Sequence, residues 1–126
     1  MVGGDRRRVQ SAHASRRAAR RTFSRLATSV PSIDAALDGA SLVVNATPLG
    51  LREDDAFPVP IEALPRDSAV FDLVYHPTET RWVRAAREAG HWAADGRGML
   101  VEQGALAFER WFGIAPDRNV MWTAMP

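Results

Sequence analysis

Two short apolar runs constrain this chain most. Ser41-Leu42-Val43-Val44-Asn45 is continuous, β-branched and too short for a helix, which predicts a parallel strand covered on both faces. Ala69-Val70-Phe71-Asp72-Leu73-Val74-Tyr75 reads as a second strand. Each run stops abruptly, the first at Asn45 and the second before Pro77. His91-Trp92-Ala93-Ala94 predicts a third, shorter strand.

Helical patterns separate these strands. Pro31 or Ser32 opens a stretch through Ile33, Ala36 and Leu37 that Gly39 closes. Residues 46–60 carry prolines, Gly50 and the acidic cluster Glu53, Asp54 and Asp55, and read as a loop, with one helical turn at 61–64. Thr78 or Thr80 supplies an N-cap hydroxyl for a helix whose stripe is Trp82, Val83, Ala86 and Ala89 and which Gly90 ends. Asp95-Gly96-Arg97-Gly98 turns into the longest helix, Met99 to Phe112, and a last helix is expected from Asp117 to Ala124. Strands alternating with helices make an α/β fold with right-handed parallel crossovers, so the carboxyl ends of all three strands share one edge. Asn45-Ala46-Thr47, Tyr75 and Asp95-Gly96 follow the strands directly. Ligands of open parallel sheets bind outside such ends, so one site is expected there.

Charge divides the chain. Residues 1–27 hold eight arginines against Asp5, a net +7, and residues 28–126 carry a net −6. The arm has few large apolar residues to offset its ordering entropy, and a solvated helix or disorder is expected over 1–27. The 126 residues include no cysteine, which excludes disulfides and thiolate metal sites, and all 16 basic residues are arginine, which excludes lysine chemistry within these residues. His13, His76 and His91 are scattered with no carboxylate at ligand spacing, so no metal is expected. No apolar run reaches the roughly 18 residues of a membrane helix, and the N-terminus lacks the apolar stretch of a secretory signal. A cytoplasmic location is expected.

Several residues suit ligand contact, each with a structural alternative. Gln103 is spaced with Met99, Leu100, Leu106 and Ala107, which predicts an inward-facing amide that bonds either neighbouring backbone or a hydroxylated ligand. Tyr75, the only tyrosine, either packs or donates its phenolic proton at the strand end. Asn45-Ala46-Thr47-Pro48-Leu49-Gly50 offers an amide, a hydroxyl and backbone donors suited to ribose or phosphate, although turn chemistry alone accounts for Asn45 equally well. Gly96 and Gly98 permit backbone to approach a flat ring, or simply form the helix entry.

Taken together, Asn45-Ala46-Thr47-Pro48-Leu49-Gly50, Asp72-Leu73-Val74-Tyr75-His76-Pro77 with Thr80, and Asp95-Gly96-Arg97-Gly98-Met99-Leu100-Val101 with Gln103-Gly104-Ala105 and Phe108-Glu109-Arg110-Trp111 resemble the C-terminal half of shikimate dehydrogenase over about residues 28–116. The resemblance implies an incomplete Rossmann-like parallel sheet of about three strands with flanking helices and a long C-terminal helix. It implies that residues 28–126 are a partial nicotinamide-dinucleotide-binding domain that uses NADP. Tyr75 and Gln103 would face the shikimate side of the cleft, and Asn45, Thr47, Leu73 and Gly96 would lie along the dinucleotide. Ser15-Arg16-Arg17-Ala18-Ala19-Arg20 is similar to the family's segment whose arginines grip the adenosine 2′-phosphate, which points to Arg16 and Arg20. The family's catalytic lysine lies in a separate N-terminal domain not found here, so a fragment without catalytic residues of its own is expected. That domain could be supplied by another chain. Such a fragment leaves an apolar strand edge and face uncovered. The alternative is a non-catalytic binding module whose basic arm holds a polyanion, with salt-sensitive affinity.

Overall fold

The computed structural model of the chain describes residues 7–8 and 27–125. Within the arm, β1 (Arg7–Arg8) lies parallel to β2 (Ala27–Thr28), an extended pair where a helix or disorder was expected. The rest of the arm, including Arg16 and Arg20, lies outside the described residues.

The central sheet has the order β3 (Leu42–Asn45), β4 (Ala69–Asp72), β5 (Ala93–Ala94), and both pairings are parallel. The register sets Asn45 opposite Asp72 and Phe71 opposite Ala94. β4 is shorter than its apolar run because the Asp72 carboxylate accepts the Val74 N–H at 3.1 Å, a local turn that ends the ladder. β5 is likewise reduced to Ala93–Ala94, with His91 turned instead to the Ser68 carbonyl, to which its Nδ1 donates at 3.0 Å.

The helices follow the spacing of the sequence. Ser32 caps α1 (Ile33–Leu37) by accepting from the Ala35 N–H, a single 3-10 turn covers Ile61–Ala63, and Thr80 caps α2 (Arg81–Glu88) by accepting from the Val83 N–H. The long helix α3 (Arg97–Phe112) begins two residues earlier than the periodicity predicts, since the Asp95 carboxylate already accepts the Arg97 N–H. Asp117 caps the short helix α4 (Arg118–Thr123), which folds back on α3 with Arg118 paired to Glu102 at 3.0 Å.

The core lies on one face of the sheet. Val70 and Ala93 pack there with Trp82, Val83 and Ala86 of α2 and with Leu37, Val59 and Leu64. The Trp82 indole N–H reaches the Val59 carbonyl at 2.8 Å and fastens the long loop onto α2, while the Arg87 guanidinium donates to the Ala93 carbonyl at 2.7 Å and ties α2 to β5. The opposite face is open at β3, where Leu42 is 53% and Val44 46% exposed. β3 is thus not covered on both faces, and among the described residues it pairs with β4 alone, which leaves the uncovered apolar edge and face that were expected.

Candidate functional site at the carboxyl edge of the sheet

The ends of the three strands converge. The Leu73 N–H donates to the Asn45 carbonyl at 3.0 Å, and the Gly96 N–H donates to the Val74 carbonyl at 3.1 Å. Thr47, Tyr75 and Gly96 are thus drawn to one edge by backbone geometry alone, as the alternation of strands and helices requires.

Asn45 is the centre of the first loop. It is 2% exposed, and its Nδ2 donates to the Asp72 carboxylate at 2.8 Å and to the Leu49 carbonyl at 2.9 Å. Its Oδ1 accepts the Thr47 hydroxyl at 2.7 Å and the Thr47 N–H at 3.0 Å. Both amide hydrogens and the carbonyl oxygen are engaged within the protein. Asn45, expected as a cofactor contact, thus has its side chain engaged in shaping the loop that presents Thr47.

The backbone of this loop is equally occupied. The Leu49 N–H donates to the Thr47 hydroxyl, that of Leu51 to the Pro48 carbonyl, and those of Gly50 and Arg52 to the Asp55 carboxylate, both at 3.0 Å. Gly50 adopts φ +99, a conformation that favours glycine. The expected array of free backbone donors for ribose or phosphate is absent from residues 47 and 49–52. What the turn presents outward is the half-buried Thr47 beside exposed Ala46, Pro48 and Leu49, a surface suited to the face of a ring. Backbone hydrogen bonds from Arg52 and Gly50, together with the Arg52 charge, lower the Asp55 pKa against a smaller opposing effect of desolvation.

Asp72 links the loop to α2. It is fully buried, and its second oxygen accepts the Thr80 hydroxyl at 2.9 Å. Burial raises its pKa, the hydrogen bonds from Thr80, Val74 and Asn45 oppose that rise, and the nearby Asp95 charge adds to it. One carboxylate thereby joins the β3 loop, the end of β4 and the cap of α2.

Gly96 is buried for reasons of space. A Cβ there would lie 2.4 Å from the Leu73 carbonyl oxygen, and its φ of −72 is ordinary for any residue. The backbone that approaches Gly96 is β4 itself, so packing of the β5–α3 turn against the neighbouring strand, rather than room for a ring, dictates glycine. Leu73 is half-buried at the same junction.

Tyr75 is 43% exposed beyond the end of β4. Gln103 is exposed too, contrary to the inward amide expected from spacing. The buried residues of α3 are Val101 and Ala105, with Gly98 and Gly104 facing Trp122 and Met121 of α4. Met99, Gln103 and Leu106 thus share an outward face, and Gln103 stands seven residues past Gly96, about 10 Å along the helix. The described hydrogen bonds bring the Asn45–Thr47 loop, Leu73, Val74 and Gly96 to one edge, with Tyr75 next in the chain after Val74, and leave Gln103 exposed on α3. Sequence reasoning missed the polar cleft next to them, lined by Arg52, His76, Arg81 and Arg84, where His76 Nε2 donates to the Gly50 carbonyl at 2.7 Å and Arg81 lies over the Phe57 ring at 5.5 Å. No periodic or motif signal links those positions, which a long loop and a helix start bring together.

A profile of the family described as Shikimate 5'-dehydrogenase C-terminal domain matches residues 96–125, which contain α3 and α4. The shikimate dehydrogenase (NADP(+)) of Thermus thermophilus is 50% identical over 82 residues, covering 65% of this chain and 31% of that protein. The chain is similar to the C-terminal part of the shikimate dehydrogenases. The crystal structure of the shikimate 5-dehydrogenase of Thermus thermophilus in complex with NADP(H) and shikimate superposes with a TM-score of 0.66 at 40% identity, over 82% of this chain and 42% of that one. Quinate dehydrogenase from Corynebacterium glutamicum in complex with NAD gives a TM-score of 0.70 at 33% identity, over 78% of this chain and 36% of that one. The fold is therefore that of the Rossmann-like part of these dehydrogenases, and the chain spans about a third of the length of the curated shikimate dehydrogenases it matches. Among the described residues no helix is long and apolar enough to cross a membrane, and no group of histidines and carboxylates could hold a metal.

Proposed function

We propose that this chain is the cofactor-side portion of an NADP-dependent shikimate dehydrogenase, which interconverts 3-dehydroshikimate and shikimate in aromatic amino acid biosynthesis. The observation that carries the reading is the junction of the three strand ends, where Asn45, Asp72 and the Gly96 backbone hold Thr47, Leu73 and Val74 at one edge, with Tyr75 following directly in the chain. Relatives that bind NADP and shikimate favour this reading over the basic-arm binding module.

The edge fits the ring end of a dinucleotide better than its phosphates. Its loop donors are internally bonded, and Ala46, Thr47, Leu49 and Leu73 offer a largely apolar surface. NADP would rest its nicotinamide against these residues and the Gly96 turn, and Arg16 and Arg20 would serve its 2′-phosphate. The cofactor supplies hydride acceptance or donation when bound. The chain's own part is positioning: Tyr75 offers a phenolic donor at the strand end, and Gln103 offers an amide free to meet a ring hydroxyl or carboxylate. None of the 126 residues is a lysine, so proton transfer by that group has to come from elsewhere.

Calorimetry of the 126-residue chain with NADP+ and with shikimate tests the reading. Measurable NADP+ binding without shikimate-dependent NADPH formation is the expected result. Vigorous turnover by the pure chain would overturn its role as a portion of the enzyme, and absence of any NADP+ affinity would overturn the site. A steeply salt-dependent affinity for an oligonucleotide in place of NADP+ would support the basic-arm reading.

A further inference from the structure

We propose that the polar cleft between the loop at residues 50–58 and the start of α2 is a second binding site, which takes a small monoanionic carboxylate carried on a flat apolar body. It is separate from the edge assigned to NADP and shikimate, since none of Thr47, Leu73, Tyr75, Gly96 and Gln103 lines it.

The cleft has a volume of about 540 Å³, within the range of small-molecule sites. A water molecule occupies roughly 30 Å³, so a bare ion would leave most of this space empty and a carbon body is needed to fill it. Arg52 stands on the loop wall, and Arg81 and Arg84 stand on the helix wall, three residues apart and hence on one side of α2. The Arg81 guanidinium is pinned, because it donates to the Glu53 carbonyl and lies over the Phe57 ring at 5.5 Å. The side chains of Arg52 and Arg84 have no hydrogen-bond or ion-pair partner among the described residues. Two unengaged guanidinium forks beside a fixed one suit a carboxylate, whose paired oxygens match the fork.

Charge selects among anions. Asp55 is occupied by the Gly50 and Arg52 N–H groups, and Glu79 pairs with Arg87 at 3.2 Å. Glu53, Asp55 and Glu79 still place three negative charges against Arg52, Arg81 and Arg84, and Arg87 adds one positive charge behind Glu79. That near balance admits one further negative charge and disfavours a dianion such as phosphate. Half-buried Phe57 and Pro58, with Pro77, give the body of the ligand an apolar surface of the kind on which a ring stacks. His76 already fastens the two walls at one point by donating to the Gly50 carbonyl at 2.7 Å. A carboxylate held by Arg52 and Arg84 together fastens them at a second, so occupancy stiffens the loop.

The test is titration of the 126-residue chain with benzoate at constant ionic strength, followed by calorimetry and by hydrogen exchange. Saturable binding with a Kd of about 1 mM or below is expected, with slowed exchange in residues 50–57. Benzyl alcohol, which has the ring without the charge, and inorganic phosphate, which has charge without the ring, are each expected to bind at least tenfold more weakly. Arg84→Gln and Arg52→Gln change exposed side chains, and each is expected to keep the melting temperature of the parent and to weaken benzoate about tenfold. Excess shikimate is expected to leave benzoate affinity unchanged. No saturable benzoate binding, equal binding of benzyl alcohol, tighter binding of phosphate, indifference to both arginine variants, or displacement by shikimate would each overturn the inference.

Discussion

The Asn45 carboxamide donates to the Asp72 carboxylate at 2.8 Å, across 27 residues of sequence and at the paired ends of adjacent strands. The two side chains complete each other's hydrogen bonding in a place water does not reach, because Asp72 also accepts from Val74 and Thr80. Truncation by Asp72→Ala would leave three donors facing a void, and a buried donor without a partner costs about 1–3 kcal/mol. Chemical denaturation is expected to register a loss of about 3 kcal/mol or more for Asp72→Ala. Asp72→Asn keeps an acceptor for Asn45 and Val74, and the Thr80 hydroxyl can rotate to accept, so a change near zero is expected for it at neutral pH. Equal losses for the two variants would show that charge, not hydrogen-bond satisfaction, holds the junction.

Asp72 and Asp55 give stability opposite dependences on acid. Burial raises the Asp72 pKa, so the folded state holds its proton more tightly than the unfolded chain does. Its contribution is full below the unfolded value of 3.8 and declines as pH rises through the raised folded value. The backbone hydrogen bond from Arg52 leads the lowering at Asp55, so that contribution is present above the unfolded value and is lost as pH falls through the lowered one. Melting temperature measured from acid to neutral pH should therefore lose its descending part in Asp72→Asn and its acid-side loss of stability should shrink in Asp55→Asn. A parallel shift of the whole profile in both variants would contradict the assignment.

Gly96 and Gly98 lie two residues apart and should respond oppositely to alanine. At Gly96 the added carbon would meet a backbone oxygen at 2.4 Å, which the turn cannot yield without moving β4 or α3. Overpacking of this kind costs about 1–3 kcal/mol, and a fixed main-chain neighbour places it at the upper end. At Gly98 the added carbon lies 3.7 Å from the Trp122 ring, ordinary contact, inside the first turn of α3. Helix propensity then favours Gly98→Ala by up to about 1 kcal/mol. Thermal melts of the two variants on opposite sides of the parent are the expected outcome.

The contrast between these glycines indicates what was legible in the sequence. The strand centres, the helix starts near Ser32, Thr80 and Asp117 and the shared carboxyl edge follow from local patterns that the fold obeys, with the structure choosing Ser32 over Pro31 and Thr80 over Thr78. Gln103 was misplaced because α3 carries apolar residues around most of its circumference, Met99, Leu106 and Phe112 being exposed and Val101 and Ala105 buried, so spacing alone could not choose its inner face. That choice is made by glycines at 98 and 104 that admit α4, a tertiary fact with no periodic signature. Asn45 was legible as a special residue but not as an internally saturated one, since its principal partner Asp72 comes from a separate strand.

Tyr75 and Gln103 offer the sharpest separation of function from fold. Both are exposed, and neither has a described hydrogen bond, so Tyr75→Phe and Gln103→Ala should leave chain stability within about 0.5 kcal/mol. If they contact the substrate as proposed, each removes a hydrogen bond formed only with ligand. A bond to a charged or strongly polar group contributes about 1.5–3 kcal/mol, equivalent to roughly tenfold or more in affinity. Calorimetric titration of the chain with shikimate in the presence of NADP+ should show this as weakened shikimate binding, with NADP+ binding little changed. Because Gln103 stands about 10 Å along α3 from the Gly96 turn, its effect should be confined to the part of the substrate farther from the strand ends. A variant that raised the NADP+ constant instead would assign Gln103 to the cofactor side and remove it from the substrate contacts.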